Sequence, residues 1–132
     1  MPTVKMIEYD EASPEVRAVY DDIKATRKTD TITNFWKTIA THPPTLARVW
    51  RDLKEVMAPG RLDPLTKEMI AIAVSATTGC AYCINSHTTA AKKLGMDNEM
   101  LGELMAVIGM FNTTNKLAEG YQVEPDVFPP LE

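Results

Sequence analysis

Helix start signals recur along the chain at spacings that suit short α-helices. Ser13-Pro14 and Asp63-Pro64 each place a capping residue before a proline, which is the arrangement favoured at the first position of a helix. After the first of these signals, apolar residues recur every three or four positions between Val16 and Ile23. The alternation typical of strands is hard to find over even five residues. The sequence therefore predicts an all-α fold.

Six helices are expected, within a single domain over residues 1–132. They should cover about 14–27, 35–40, 44–57, 64–78, 80–94 and 98–117, with an extended tail over 120–132 that contains three prolines. The fourth and fifth helices should pack antiparallel across a turn at Gly79, since glycine readily adopts the left-handed conformation that ends a helix. We expect this hairpin to place Cys80 and Cys83 at the base of a narrow apolar pocket.

Charge and composition exclude several classes of partner. Fourteen Lys and Arg against eighteen Asp and Glu give a net charge of −4, so the chain lacks the basic field that binds nucleic acid or an anionic membrane. The longest stretch without Asp, Glu, Lys or Arg is Met69–Ala91, and its many Ser, Thr and Asn residues make it too polar to span lipid. No signal peptide is visible at the N-terminus, so we expect a cytoplasmic protein.

Two cysteines, Cys80 and Cys83, are the only thiols, and their spacing permits a local disulfide. A bridge that closes so short a loop removes little entropy from the unfolded chain and would hardly stabilise the fold. Redox chemistry is therefore favoured over a structural role. The predicted position in the first turn of a helix lowers thiol pKa, because free backbone amides and the helix dipole stabilise a thiolate.

Two further residues complete a candidate site with this cysteine pair. His87 follows Cys83 by four positions and Cys80 by seven, so the three side chains share one face of a helix. Glu68 lies on the preceding helix and reaches the same site if the two helices pack against each other. Thiol, second thiol, imidazole and carboxyl together predict a nucleophile, a resolving group and a proton relay.

Three other interpretations of these residues remain open. The cysteines could be small buried hydrophobic residues, which is a common environment for cysteine. Cysteine, cysteine, histidine and glutamate are also sufficient to ligate zinc. Glu68 by itself is typical of a carboxylate that complements the dipole near a helix start.

The spacing of these residues resembles a known motif. Glu68, eleven residues, Cys80-x-x-Cys83, three residues and His87, followed by a small-residue helix that ends in Lys93-Leu94-Gly95, is similar to the core of alkylhydroperoxidase D-like proteins. These proteins belong to the carboxymuconolactone decarboxylase superfamily. The resemblance implies that Cys83 attacks a peroxide, that Cys80 resolves the sulfenic acid as a disulfide, and that Glu68 and His87 relay protons.

The resemblance also implies an activity and partners. It implies a thiol-dependent peroxidase or disulfide oxidoreductase that acts on small hydroperoxides, uses no cofactor or metal, and is recycled by a thioredoxin-like or lipoyl dithiol protein. It further implies a homo-oligomer, either a trimer or a hexamer. One related branch has histidine directly before the second cysteine, where this chain has Tyr82. The alternatives are a lactone decarboxylase that uses acid/base residues without the thiols, and a non-catalytic helical assembly module.

Overall fold

The fold is described by a computed structural model over residues 2–131, and these residues form six α-helices and no strand. The helices are α1 (Pro14–Arg27), α2 (Asn34–Ile39), α3 (Pro43–Val56), α4 (Pro64–Thr78), α5 (Ala81–Lys93) and α6 (Asn98–Gly120), preceded by a 3-10 turn at Tyr9–Glu11. The predicted all-α class is confirmed. The two ends of the predicted domain, Met1 and Glu132, lie outside the described residues.

The chain divides into two compact units, one up to Ala58 and one from Pro59 onwards. Each unit has its own cluster of buried apolar side chains. The organisation as one domain over residues 1–132 stays a prediction.

The first unit packs α1, α2 and α3 around two tryptophans. The rings of Trp36 and Trp50 meet edge to face, with their centroids 5.3 Å apart, and Tyr20 and Leu46 are fully buried in the same cluster. Edge-to-face aromatic pairs are favoured because the positive ring edge meets the negative ring face. The hydroxyl of Tyr20 donates to the backbone oxygen of Ile7 at 2.8 Å, which satisfies the polar atom of this ring.

The second unit contains α4, α5 and α6. Asp63 is the N-cap of α4, and its carboxylate accepts the backbone amide of Thr66 at 2.8 Å. The buried cluster of this unit consists of Ile72, Ala91 and Met96, so α4 packs against α5 through a fully buried isoleucine. This packing holds the candidate site, because all four of its residues lie on α4, on α5 or on the turn between them.

The observed helix boundaries lie within one residue of the predicted ones, except at the end of α6. The start of α3 is Pro43 rather than Pro44, since a helix tolerates proline at both of its first two positions. The end of α6 is Gly120, three residues beyond the predicted end, so the predicted tail loses its first residue. The 3-10 turn at Tyr9–Glu11 was not predicted.

Among residues 2–131, no helix is both long enough and apolar enough to cross a membrane.

Candidate functional site

The turn between α4 and α5 brings the two helices together with only two connecting residues. Gly79 adopts a left-handed conformation with φ of 80°, and its amide donates to the backbone oxygen of Ser75 at 2.9 Å. The amide of Cys80 donates to the same oxygen at 3.0 Å. Because a side chain disfavours positive φ, glycine at this position allows the chain to reverse directly after α4.

The two cysteines are joined as a disulfide at the start of α5. Their Cα atoms lie 5.3 Å apart, and Cys80 and Cys83 are separated by one helical turn. The sequence predicts Cys80 in the first turn of the helix. In the structure, Cys80 is instead the N-cap of α5. Its Sγ accepts the backbone amide of Cys83 at 3.2 Å, so one of the free amides of the helix N-terminus is directed at this sulfur. The sequence predicts free backbone amides near the thiols, but it does not identify Cys80 as the cap, because serine, threonine and aspartate are the usual capping residues.

The predicted acid/base pair is brought together across the two helices. Nδ1 of His87 lies 2.7 Å from Oε2 of Glu68, with the side chains 27% and 14% exposed, respectively. An ionised carboxylate can only accept a hydrogen bond, so Nδ1 of His87 carries the proton and donates it to Glu68. In the neutral imidazole, Nε2 is then the basic nitrogen. In this orientation, Nε2 of His87 can accept a proton, and His87 lies on α5 four residues after Cys83.

The end of α5 that holds the disulfide is partly open to solvent. Gly79, Ala81 and Tyr82 are exposed, and the Tyr82 side chain between the two cysteines is 42% accessible. Cys80 and Cys83 are half-buried. A small peroxide or a thiol can therefore approach this end of α5.

The second unit contains an apolar cavity between α4 and α6. It has a volume of about 200 Å³ and is lined by Met69 from α4 and by Met100, Glu103, Leu104 and Val107 from α6. None of the four candidate site residues lines it. The walls of this cavity come from α4 and α6. The pocket expected at the cysteine pair stays a prediction.

The arrangement supports thiol chemistry with a local proton acceptor. A disulfide and a dithiol interconvert without large motion when the two cysteines lie one turn apart, and a positioned imidazole can carry the proton. The described part of the chain contains no group of three or more His, Cys, Asp and Glu arranged to hold a metal ion. The other histidine, His42, is the N-cap of α3, where its Nδ1 lies 2.8 Å from Oγ1 of Thr45.

Comparison with known proteins places the chain in a family. The profile of the carboxymuconolactone decarboxylase family matches residues 44–123, which is more than half of the chain and includes the whole candidate site. The chain belongs to the carboxymuconolactone decarboxylase family. The predicted resemblance to its alkylhydroperoxidase D-like members is also confirmed.

A solved structure agrees over nearly the whole fold. It is the crystal structure of an alkylhydroperoxidase AhpD core from Rhodospirillum rubrum, with a TM-score of 0.92 and 44% sequence identity. The match covers 96% of this chain and 95% of that chain. The six-helix arrangement of this carboxymuconolactone decarboxylase family member is therefore that of an AhpD core.

Two curated relatives match over shorter stretches. The alkyl hydroperoxide reductase AhpD of Solibacter usitatus is 32% identical over 88 residues, which are 67% of this chain and 48% of that protein. An uncharacterised protein of the cox locus of Paracoccus denitrificans is 43% identical over 54 residues, which are 41% of this chain and 49% of that protein. The chain thus spans about half the length of these relatives.

Proposed function

We propose that the protein is a thiol-dependent peroxidase or disulfide oxidoreductase that reduces small hydroperoxides with the Cys80 and Cys83 pair. The observation that carries this proposal is the combination of a disulfide at the N-terminus of α5 with the contact between His87 and Glu68. The AhpD name of a relative and of the similar crystal structure supports the same activity.

Each residue has a role in the proposed reaction. The Cys83 thiolate attacks the peroxide, so an S–O bond forms, the O–O bond breaks, and the sulfenic acid and an alkoxide result. His87 takes the thiol proton and gives it to the departing alkoxide, while Glu68 holds the imidazole in the required tautomer. The Cys80 thiolate then attacks the sulfenic acid, and the disulfide forms as hydroxide leaves. The hydroxide takes up a proton and becomes water.

The proposed cycle requires an external reductant and predicts an assembly. A dithiol protein of the thioredoxin-like or lipoyl kind returns the disulfide to two thiols and becomes oxidised itself. We also propose that the protein is a homo-oligomer, a trimer or a hexamer, and that it works in the cytoplasm. Exposed apolar side chains on α6, among them Val107 and Phe111, support the assembly.

The family name favours a second candidate function, decarboxylation of a lactone. Such an enzyme would use acid/base residues and would not need a cysteine pair, whereas this chain has Cys80 and Cys83 bonded to each other. Peroxidase chemistry is therefore the better supported of the two.

The substitution Cys83→Ser separates the candidate functions. The experiment compares the wild type and this variant for reduction of an organic hydroperoxide with a dithiol present, and for decarboxylation of a carboxylated muconolactone. The proposal expects hydroperoxide reduction by the wild type and its loss in the variant, with the helical circular dichroism spectrum unchanged. Decarboxylation that persists in the variant, without hydroperoxide reduction by the wild type, would favour the alternative.

A further inference from the structure

A hydrogen bond joins α6 to the last turn of α4, close to the turn that carries the disulfide. Nδ2 of Asn112 donates to Oγ1 of Thr77 at 3.0 Å and to the backbone oxygen of Ile108 at 2.9 Å. A backbone oxygen can only accept, so the contact with Ile108 fixes the amide nitrogen, rather than the amide oxygen, on this side of Asn112. The second hydrogen of this nitrogen is available to Thr77, 35 positions away in the chain. The proposed reaction makes no use of Asn112.

The last turn of α4 benefits from a contact outside its own helix. It ends in Thr77 and Thr78, whose β-branched side chains make them weaker helix formers than alanine or leucine. Helix ends also fray, because their last carbonyl groups have no partner inside the helix. The hydrogen bond from Asn112 ties Thr77 to α6 and therefore restrains α4 near the end where fraying begins.

The same turn of α4 holds Cys80. The backbone oxygen of Ser75 accepts the amides of Gly79 and Cys80 at 2.9 and 3.0 Å, and Ser75 is buried. Thr77 lies between these partners along the chain. Cys80 precedes α5 as its N-cap, whereas Cys83 lies within the helix. The position of Cys80 beside Cys83 therefore depends on the last turn of α4 as well as on α5.

We propose that Asn112 is a positioning residue for the Cys80–Cys83 pair and acts through Thr77 and the last turn of α4. This inference rests on the proposed function, because it concerns the same cysteine pair. While the turn is held, the two thiols of the reduced protein stay close together, and the bond closes with little loss of conformational freedom. Without the contact, Cys80 gains freedom in the reduced protein, and the disulfide becomes easier to reduce.

The test is the redox equilibrium of the full-length protein with glutathione. Two glutathione thiols reduce the disulfide to two protein thiols and form one glutathione disulfide, so two electrons and two protons pass to the protein. The protein is equilibrated at neutral pH over a series of ratios of reduced to oxidised glutathione and is then quenched in acid. Free thiols are alkylated and counted by mass spectrometry. The midpoint gives the equilibrium constant for disulfide formation.

We expect Asn112→Ala to lower this equilibrium constant by about two- to fivefold, which is within the net contribution of one partly exposed hydrogen bond. Thr77→Val should lower it by the same factor, because valine keeps the branching of threonine but cannot accept a hydrogen bond. The double variant should show no further loss, since both changes remove one contact. An unchanged constant in either single variant, or losses that multiply in the double variant, would overturn the inference.

Two matched controls separate positioning from a general effect on the helices. Thr77→Ser keeps the hydroxyl and should give the wild-type constant. Thr78→Val alters the same turn, but the Thr78 hydroxyl donates to the backbone oxygen of Val74 at 2.9 Å within α4, so this variant should also match the wild type. A contact that only stabilised the fold would stabilise the oxidised and reduced proteins equally, and its loss would leave the constant unchanged. A loss in Thr78→Val as large as that in Thr77→Val would overturn the inference.

Peroxide takes no part in this equilibrium, so the result is independent of the proposed function. A lower constant for Asn112→Ala in a protein that reduces no hydroperoxide would support the positioning role and contradict the peroxidase proposal. If Asn112→Ala loses its helical circular dichroism signal, Asn112→Leu, which is closer in shape to asparagine, replaces it and is judged by the same criteria.

Discussion

Oε2 of Glu68 lies 2.7 Å from Nδ1 of His87, and this contact joins α4 to α5 between residues 19 positions apart in the chain. The carboxylate orients the ring and fixes the proton on Nδ1, so the second nitrogen is available to exchange a proton. In the proposed function, this contact makes the two side chains one acid/base unit, with the imidazole four residues after Cys83.

Removal of the imidazole should slow the reaction at peroxide cleavage. We expect His87→Ala to reduce the rate of thiol oxidation by hydroperoxide by about 10² to 10⁴, which is the usual contribution of a positioned acid/base group. Glu68→Gln should cost less, at most about 10², because the imidazole remains and the amide oxygen of glutamine can still accept its hydrogen bond, although the negative charge is lost. Single-turnover oxidation of the reduced protein, followed by loss of free thiols, measures both rates.

The matched control for these two variants is His42→Ala. His42 is exposed, and its contact with Thr45 lies within α3 and its cap. The control should oxidise at the wild-type rate. If His87→Ala were as fast as His42→Ala, the imidazole would have no part in the chemistry.

A side chain at position 79 should destabilise the turn through backbone conformation alone. Gly79 has φ of 80°, and a Cβ built there would meet nothing within 4 Å. We therefore expect Gly79→Ala to lower the free energy of unfolding by about 1 to 2 kcal/mol, the cost of the left-handed region for a residue with a Cβ. Urea denaturation of the oxidised protein measures the change.

Gly79→Asn is the control for this interpretation. Asparagine has a side chain of greater volume than alanine, but it tolerates the left-handed conformation better. It should therefore cost less than alanine. A larger loss for asparagine than for alanine would show that space, rather than φ, limits the residue at this position.

Local contacts explain why some helix starts could be predicted from the sequence. Oγ of Ser13 accepts the amide of Val16 at 3.3 Å, and Asp63 accepts that of Thr66 at 2.8 Å. Each cap involves residues three positions apart, so the information lies within one turn. The predicted starts of α1 and α4 are accordingly the observed ones.

Features that depend on distant side chains were harder to predict. The 3-10 turn at Tyr9–Glu11 has Arg17 against it, which donates to the backbone oxygens of Tyr9 and Asp10 at 2.9 and 2.7 Å. No periodic pattern in the sequence encodes that contact. The approach of Glu68 to His87 was predicted only on the condition that their helices pack together, because spacing along one chain does not determine packing.

Stability at low pH should depend on Asp22. Lys54 and Trp50 both donate to its Oδ2 at 2.7 Å. These hydrogen bonds hold the pKa of Asp22 below its usual value, and the bond from Lys54 has the larger effect. A carboxyl whose pKa is lower in the folded state stabilises the fold above its unfolded pKa, near 3.9, and loses that contribution as the pH falls through the folded value.

The variant Asp22→Asn tests this dependence. At pH 7 it should be less stable than the wild type by no more than about 1 kcal/mol, because the Asp22 side chain is 46% exposed and solvent screens the pair. The difference should shrink as the pH falls below about 4. Urea denaturation across this range measures it. A difference that stays constant down to the acid limit would contradict a role for the ionised carboxylate.

The apolar surface of α6 should be covered by other copies of the chain. No residue of this 23-residue helix is fully buried, although it carries Val107, Met110, Phe111 and Leu117 with at least half of each side chain exposed. Exposed apolar patches of this kind mark interfaces, because water contact with them is unfavourable. Light scattering at micromolar concentration should therefore return three or six times the 14.7 kDa chain mass.

Val107→Glu combined with Phe111→Glu should lower the measured mass, since buried charges destabilise an interface. Glu119→Lys, on the same helix but without loss of apolar surface, should leave it unchanged. A 14.7 kDa particle for the unaltered protein would contradict the predicted assembly.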